Sequence, residues 1–381
     1  MDYPDIKHIL VLVFSWFLAM ILTTPSSAKV TGPCGNCHTM HNSQGDSLVA
    51  PDGPFETLLK TNCVGCHSSE GSETVVYIGT TAIPIVRNIQ EPSAPLSGGN
   101  FYWVEATGDA CGHNVINPDA ALAKAPGSPD CGFGGCHVSL ASIRYGPGPG
   151  PLFNPITGNG CIGCHDTRQA HHRGGGQDLG NGYRRVGVPG DGTAGFRFIG
   201  NAGQVYWNIP PHTPPNVAGI EAPWTALQTP GPSSHNEYQD YPKPGAYLAY
   251  MGNPQGISDF CAGCHQAFHS WEAGGAPNGG YGNPWLRHPV AYALPDTGEY
   301  ANYTTFDPVV PVARTVEKLL TMSGPSSEVT PGEDMVMCLS CHFAHAGPYP
   351  DALRWDYEQQ IAGGGGATGT GCFVCHSSKD D

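Results

Sequence analysis

The feature that most constrains this chain is a short motif, Cys-x-x-Cys-His, which returns along its length. Six strict copies occur, at residues 34–38, 63–67, 161–165, 261–265, 338–342 and 372–376. A stretched copy with four residues between the cysteines lies at 131–137. The composition predicts roughly 0.03 strict copies by chance. The series is therefore a repeated chemical device, and its pattern is that of covalent c-type haem attachment.

The spacing of the motif has a physical reason. Two cysteines three residues apart lie on one face of a helical turn, so both sulfurs can reach the two vinyl groups of one porphyrin. The histidine that follows then points at the iron as its proximal ligand. The predicted anchors are Cys34, Cys37, Cys63, Cys66, Cys131, Cys136, Cys161, Cys164, Cys261, Cys264, Cys338, Cys341, Cys372 and Cys375. The predicted proximal ligands are His38, His67, His137, His165, His265, His342 and His376.

Three other sites use closely spaced cysteines: a zinc site, a thioredoxin-like redox pair and a disulfide framework. None of them requires a histidine directly after the second cysteine every time. We therefore expect seven covalently attached haem c groups, each with its iron. One cysteine, Cys111, belongs to no motif. A small buried residue is the favoured interpretation of Cys111, ahead of a free thiol or an intermolecular link.

The first residues have the pattern of an export signal. A charged start is followed by an apolar run at 9–22 and by small residues up to Ala28. We expect residues 1–28 to be a cleaved signal peptide, with an uncleaved anchor as the alternative. Residues 29–381 are then a single extended multihaem cytochrome c domain. A secreted chain also fits the cysteine usage, and no other stretch is long and apolar enough to span a membrane.

The composition predicts little regular structure. Gly (53) and Pro (36) make up nearly a quarter of the 381 residues, and only 39% are hydrophobic. Such a chain gains little from an ordinary side-chain core, so we expect mostly irregular coil with short helices and a few short strands, wrapped around a stacked haem chain. Short helices are predicted at 54–61 and 351–362, short strands at 75–86 and 100–104, and either type at 309–320.

The net charge of −15 excludes the usual nucleic-acid binder, because no basic stripe is present to neutralise phosphates. An acidic surface suits weak contact with basic partners or cationic mineral surfaces.

The second axial position of each iron decides between electron transfer and substrate binding. Nine histidines remain after the seven proximal ones and His8 of the signal segment are set aside. The best candidates for distal ligands are His41, His113, His171, His172, His269, His288 and His345. His212 or His235 is the alternative to one of His171 and His172, and Met40 is a weaker alternative ligand.

The positions of these histidines suggest which irons they serve. A histidine three or four residues after a proximal one cannot easily reach the opposite face of the same iron. His41, His269 and His345 are therefore expected to bridge to neighbouring haems, and the pair at 171–172 to reach two different irons. His113 and His288 would serve haems that are distant in sequence.

Several stretches together resemble a known family, the OmcS-type multihaem outer-surface cytochromes of metal-reducing bacteria. They are Cys34-x-x-Cys-His-Thr-Met-His-Asn-Ser, Gly112-His113-Asn114, Phe260-Cys-x-x-Cys-His-x-x-x-His269, Leu286-Arg-His-Pro289 and Cys338-Leu-Ser-Cys-His-x-Ala-His-Ala346. The resemblance implies bis-His haems stacked along the molecule, extracellular electron transport and polymerisation into filaments. It also implies that His41 ligates a haem of the neighbouring subunit. That family type carries six haems, so the stretched motif at 131–137 is the expected addition, with the 171–172 pair as its source of a partner.

The leading functional hypothesis is an electron carrier, not an enzyme, that moves electrons from the periplasm to the cell exterior and polymerises into a conductive filament. Its partners would be other redox cytochromes, extracellular acceptors such as metal oxides, and copies of itself. The alternative is a multihaem reductase of the nitrite or hydroxylamine type, which needs one open haem. All seven motifs end in His and imidazoles are in surplus, which favours the carrier. A third hypothesis is a surface protein whose haems serve mainly to fold it.

Overall fold

The structure, a computed structural model, describes residues 33–49, 58–61, 63–116, 161, 164–165, 171, 176–187, 217–241, 256–262 and 288–380, without the side chains of 259 and 262. Several predictions fall outside these residues. They concern the signal peptide at 1–28 and the site residues Cys131, Cys136, His137, His172, His212, Cys264, His265 and His269.

Regular elements in the described part are short and separated by coil, which confirms the predicted coil with short helices and short strands. The α-helices are α1 (Cys63–Cys66), α2 (Tyr102–Thr107), α3 (Trp224–Gln228), α4 (Ile257–Ala262), α5 (Val316–Thr321), α6 (Cys338–Cys341) and α7 (Cys372–Cys375). Single 3-10 turns lie at Cys34–Asn36, Asp109–Cys111, Gly298–Asn302, Pro350–Ala352, Tyr357–Gln359 and Ser377–Lys379.

The strands pair mainly with near neighbours. They are β1 (Ser43–Gln44), β2 (Ser47–Leu48), β3 (Ser68–Ser69), β4 (Val75–Ile78), β5 (Thr81–Pro84), β6 (Arg87–Asn88), β7 (Gln177–Gly180), β8 (Tyr183–Val186), β9 (Gly219–Glu221), β10 (Glu237–Tyr238), β11 (Tyr292–Ala293) and β12 (Met335–Val336). The largest sheet has the antiparallel order β10-β9-β8-β7. The hairpin of β4 and β5 confirms the strands predicted at 75–86.

The strand predicted at 100–104 is wrong, because helix α2 begins there. The side-chain oxygen of Asn100 accepts a hydrogen bond from the Tyr102 backbone N–H at 3.0 Å, and Asn100 is fully buried. An asparagine that satisfies an early helical N–H in this way favours the start of a helix over a strand. At 309–320 the structure has both types: Ala313 pairs with Met335 as a bridge, and Thr315 then caps α5.

The helices predicted at 351–362 and 54–61 are also wrong in the described part. The first is two 3-10 turns, because Asp351 takes a left-handed conformation (φ 60°) that a continuous helix does not allow. In the second, the described end at 58–61 contains no helix, and Leu59 forms a β-bridge with His38. In both places tertiary pairing outweighs local propensity.

The described region has a side-chain core that the composition did not predict. Four clusters of buried apolar residues form it, and the two largest draw most of their residues from 257–339. One comprises Val217, Tyr238, Ile257, Ala313, Met335, Met337 and Leu339. The other comprises Leu294, Tyr303, Phe306, Val312 and Val329, with Val374 and Cys375 packed against it. Side chains of helices α6 and α7, which carry two of the cysteine motifs, thus pack in this core.

A buried ionic network runs through the same core. The guanidinium of Arg314, which is fully buried, donates to Glu237 at 2.9 Å and to Asp334. Asp334 also accepts from Lys318 at 2.8 Å. The side chains of Arg314, Glu237 and Asp334, which come from three separate segments, are thereby joined without exposure to water.

Candidate functional site

Each described motif folds as a single turn that presents its cysteines together, as the spacing predicted. In all five motifs whose histidine is described, the backbone N–H of the histidine donates to the backbone carbonyl of the first cysteine. These N–O distances are 2.9 Å for His38, 2.9 Å for His67, 2.9 Å for His165, 3.1 Å for His342 and 2.9 Å for His376. This bond closes the turn and places the imidazole directly beyond it.

The thiols of successive motifs lie close enough to affect one another. Burial raises the pKa of Cys66, and the thiols of Cys37 and Cys63 raise it further. The pKa of Cys341 is raised to about 12 by burial and by the thiols of Cys372 and Cys375. These values describe the chain before any sulfur becomes a thioether.

Hydrogen bonds join two further pairs of motifs. The thiol of Cys161 is hydrogen-bonded to that of Cys63, and the thiol of Cys261 to that of Cys338. Cys164 also acts on the pKa of Cys261, although less strongly than Cys338 and burial do. The six motifs with described cysteines therefore follow one another in space in the order in which they occur along the chain.

The arrangement does not suit the alternative cysteine sites. None of the described cysteines forms a disulfide. Within the described ranges, no three His, Cys, Asp or Glu side chains converge as a metal site. A structural zinc ion needs four such ligands.

Three histidine pairs have a common separation. The ring centroids lie 6.3 Å apart for His67 and His171, 6.0 Å for His165 and His345, and 6.1 Å for His288 and His376. Each pair joins the histidine of one motif to a candidate distal histidine from elsewhere in the chain.

This separation fits one iron between two imidazoles. An imidazole nitrogen bonds a first-row metal ion at about 2 Å, and its ring centroid lies about 1.1 Å further away. Two imidazoles on opposite faces of one iron therefore have centroids about 6.3 Å apart. The interplanar angles of 23°, 56° and 89° differ because each ring can rotate about its metal–nitrogen bond.

Hydrogen bonds to carbonyl oxygens orient several of these rings. The Nδ1 atoms of His67, His113, His288 and His342 lie 2.7–2.9 Å from the carbonyl oxygens of Pro84, Ala344, Pro289 and Asp351. A carbonyl can only accept, so Nδ1 carries the proton and Nε2 keeps its lone pair for a metal. Sequence reasoning missed these partners, because any residue type can supply a backbone carbonyl.

His345 lies where three segments of the chain approach one another closely. Its imidazole is held in the neutral form. Burial and the nearby charge of His165 lower the pKa of His345 to about 3, so the ring has a lone pair to offer at neutral pH. The His345 backbone N–H donates to Gly98, and its carbonyl accepts from His113. A Cβ on Gly112 would lie 2.4 Å from that carbonyl, so only glycine fits there.

His235, by contrast, has a structural role. Its Nδ1 lies 3.0 Å from the Gly231 carbonyl and its Nε2 lies 2.9 Å from the Glu237 carboxylate. The ring is buried and stacks on Phe306 at 3.5 Å. Both nitrogens are therefore occupied, and His235 is not available as the alternative distal ligand. Cys111 is also buried, at 1% exposure, which agrees with the favoured interpretation of a small buried residue.

His41 lies at the tip of an exposed tight turn. Met40 and Ser43 exchange two backbone hydrogen bonds of 3.1 Å, and the two residues between them have positive φ angles of 54° (His41) and 80° (Asn42). Two such angles in succession define a type I′ turn, which suits Asn or Gly better than His. The Asn42 N–H donates to Thr39 Oγ1 at 2.8 Å, which holds the turn in place. His41 is thus an exposed residue of a hydrogen-bonded turn.

Comparisons with known proteins agree with the motif series. Residues 330–381 match the sequence model of the doubled CXXCH motif family. The chain is 24% identical to C-type cytochrome OmcS of Geobacter sulfurreducens, over 93% of this chain and 87% of that protein. This similarity confirms the predicted resemblance to OmcS-type cytochromes.

Two solved structures are also similar. They are the outer membrane cytochrome S filament of Geobacter sulfurreducens and the OmcS nanowires from the same organism. Both are 17% identical to this chain and cover 93% of it and 92% of the solved chain, with TM-scores of 0.46 and 0.49. Among the helices that the structure describes, none has the length and apolar character needed to cross a bilayer.

Proposed function

We propose that this protein is a heptahaem c-type cytochrome with bis-His irons, which carries electrons from the periplasm to acceptors outside the cell. The observation that carries the proposal is the set of three histidine pairs at 6.0–6.3 Å, each beside its own cysteine turn. The similarity to a C-type cytochrome over most of the chain supports it. Residues 1–28 would direct export and be removed, leaving residues 29–381 as a single haem-bearing unit wrapped around the haems.

The pairs indicate which residues would hold three of the haems. His67 and His171 would hold the haem anchored by α1. His376 and His288 would hold the one anchored by α7. The haem at Cys161 and Cys164 would lie between His165 and His345, and the last of these comes from the loop after another motif. Bound haem would supply one-electron redox chemistry at iron, while the chain fixes each ring and closes both axial positions to substrate.

The order of the thiols supports a conduit. Because successive motifs lie against each other, electrons would enter at one end of the series and leave at the other. Other redox cytochromes and metal oxides are the expected partners. The reductase alternative requires a haem with one vacant axial position. The three pairs disfavour that vacancy at the haems they would serve.

Haem counting and spectroscopy test the proposal. We expect seven haems per chain by pyridine haemochrome assay and mass spectrometry. The ferric protein should be low-spin throughout and should not bind cyanide at neutral pH. A high-spin ferric haem in the assembled protein, or fewer than seven attached groups, would contradict the proposal in this form.

Two histidine variants separate ligands from structural residues. His345→Ala should leave one haem high-spin and able to bind cyanide, because its distal ligand is gone. His235→Ala is the matched control, and it should lower thermal stability without creating a high-spin haem. Equal spectra for the two variants would count against the assigned pair.

Filament formation through His41 is the further part of the proposal, and the exposed, hydrogen-bonded turn that carries His41 supports it. His41 would ligate a haem of the next subunit. His41→Asn removes the imidazole while keeping a residue suited to a type I′ turn. We expect folded monomers that load seven haems but show one high-spin haem and no filaments by electron microscopy. Filaments of normal length from this variant would show that His41 does not form the link.

A further inference from the structure

The imidazole of His376 has a different partner from those of His67 and His342. Its Nδ1 lies 3.4 Å from the carboxylate oxygen Oε1 of Glu299. The ring of Tyr300 stands edge-on to the same imidazole at 5.2 Å. His67 and His342 contact neutral backbone carbonyls at this position, so His376 is distinguished from them by a negative charge.

The carboxylate of Glu299 is fixed by the C-terminal turn of the chain. Its second oxygen, Oε2, accepts from the Ser378 backbone N–H at 2.9 Å and from the Ser378 hydroxyl. Asn302, in the same turn as Glu299, donates to Ser377 at 3.0 Å. The Glu299 side chain is only 10% exposed. With Oε2 occupied by Ser378, Oε1 is the oxygen left facing the imidazole, and Lys379 approaches it at 3.7 Å.

A carboxylate at this position changes the electronics of the ligand. Because a carboxylate only accepts hydrogen bonds, Nδ1 must donate and Nε2 must face the metal. The negative charge draws the Nδ1 proton and makes Nε2 a stronger donor, which stabilises ferric over ferrous iron. We propose that Glu299 is a positioning residue that lowers the reduction potential of the haem anchored by α7 below those of the haems held by His67 and His342.

This inference rests on the proposed function, since it concerns a haem held by His376. It also gives a direction to electron transfer between neighbouring haems. A low-potential haem at one end of the thiol series passes its electron readily to its neighbour. The nearest neighbour is the haem of α6, because the Cys341 thiol is affected by those of Cys372 and Cys375. The haem of α7 would thus donate electrons to the haem of α6.

The test is Glu299→Gln in the full haem-loaded protein, followed by spectroelectrochemical titration and electron paramagnetic resonance. We expect the glutamine variant to favour the ferrous form of one haem about tenfold, which is about 59 mV for a one-electron couple. The low-spin g values of that one haem should change as well. Glu299→Asp is the conservative variant, because it keeps the negative charge, and its potential should lie closer to that of the wild-type protein.

Glu333→Gln is the matched control. Glu333 is 46% exposed and contacts Lys318 at 3.3 Å, so its loss removes a surface carboxylate of the same type without touching a motif histidine. It should leave every potential unchanged. If Glu299→Gln retains seven low-spin haems and the wild-type potentials, the inference is overturned while the proposed function stands. If the wild-type protein lacks a low-spin haem at 372–376, the proposed function fails first.

Discussion

The first cysteine motif and the two C-terminal motifs share a sequence pattern but differ in what surrounds them. The turn at Cys34–Asn36 buries none of its residues, and the strands β1 and β2 that follow are exposed throughout. Met40 and Leu48 are 70% and 74% exposed. In helices α6 and α7, Leu339 and Phe373 between the cysteines are buried.

The hydrogen bonds of the two regions join residues that are different distances apart in the chain. Ser340 inside α6 donates its hydroxyl to the Pro311 carbonyl at 2.6 Å and accepts from the Met337 N–H at 3.0 Å. In the first turn, the Gly35 carbonyl accepts at 3.4 Å from the side chain of Gln44, which belongs to the adjoining exposed hairpin. The motif provides a haem anchor in both places, but only the tertiary surroundings make the anchor part of a core. The first motif instead lies at an exposed turn and hairpin.

The largest expected effect comes from the ionic network beneath the C-terminal motifs. Arg314→Leu would remove the guanidinium that faces both buried carboxylates, leaving Asp334 with Lys318 and Glu237 with His235 as their remaining partners. Removing one partner of a buried pair costs about 3–5 kcal/mol. We expect the free energy of unfolding to fall by that amount in urea titration followed by tryptophan fluorescence.

The control for this change is the exposed ion pair of the N-terminal half. Arg87 contacts Glu105 at 2.7 Å, with 27% and 23% of the side chains exposed. Arg87→Leu should cost no more than about 1 kcal/mol, because water screens the pair. Equal losses from the two arginine variants would remove the contrast between the two regions.

A pair of leucine variants compares the two motifs directly. Leu339→Ala removes a buried side chain between the cysteines of α6 and should cost about 2–5 kcal/mol. Leu48→Ala removes an exposed side chain beside the first motif and should change the monomer by less than about 0.5 kcal/mol. Thermal unfolding of monomers measures both. A large loss in the monomer from Leu48→Ala would show that the hairpin belongs to a core after all.

The smallest effect is a loss of stability in acid, confined to the C-terminal region. Burial opposes the charge of Glu237, but His235 and Arg314 outweigh it and hold the pKa of Glu237 below its usual value. A depressed folded-state pKa stabilises the fold above the unfolded pKa of about 4.3, and the stabilisation is lost as the pH falls through the folded value. We expect wild-type protein to lose stability below about pH 4. Glu237→Gln should flatten that part of the pH profile, and an unchanged profile would exclude Glu237 as the cause.

The local sequence predicted structure correctly where the stabilising contacts are between residues close in the chain. The hairpin at 75–86 and the single-turn motifs follow from alternation and spacing, and both are present. The helices predicted at 351–362 and 54–61 fail because those segments pair with distant ones: Leu353 bridges to His342, and Leu59 to His38. Neither bridge follows from the helical or strand periodicity of its own segment.

By itself, the sequence determined the chemical type of the protein. A cysteine pair followed by histidine brings its own geometry, because one helical turn is enough to place two sulfurs and one imidazole. Only the tertiary structure shows what surrounds the other described histidines. The sequence ranks His345 above His235 because His345 follows a motif, but only the fold shows that His235 has both nitrogens bonded inside the core while His345 meets His165 at 6.0 Å. Which nitrogen is left with a lone pair depends on partners up to 231 residues away, and only the folded chain brings them together.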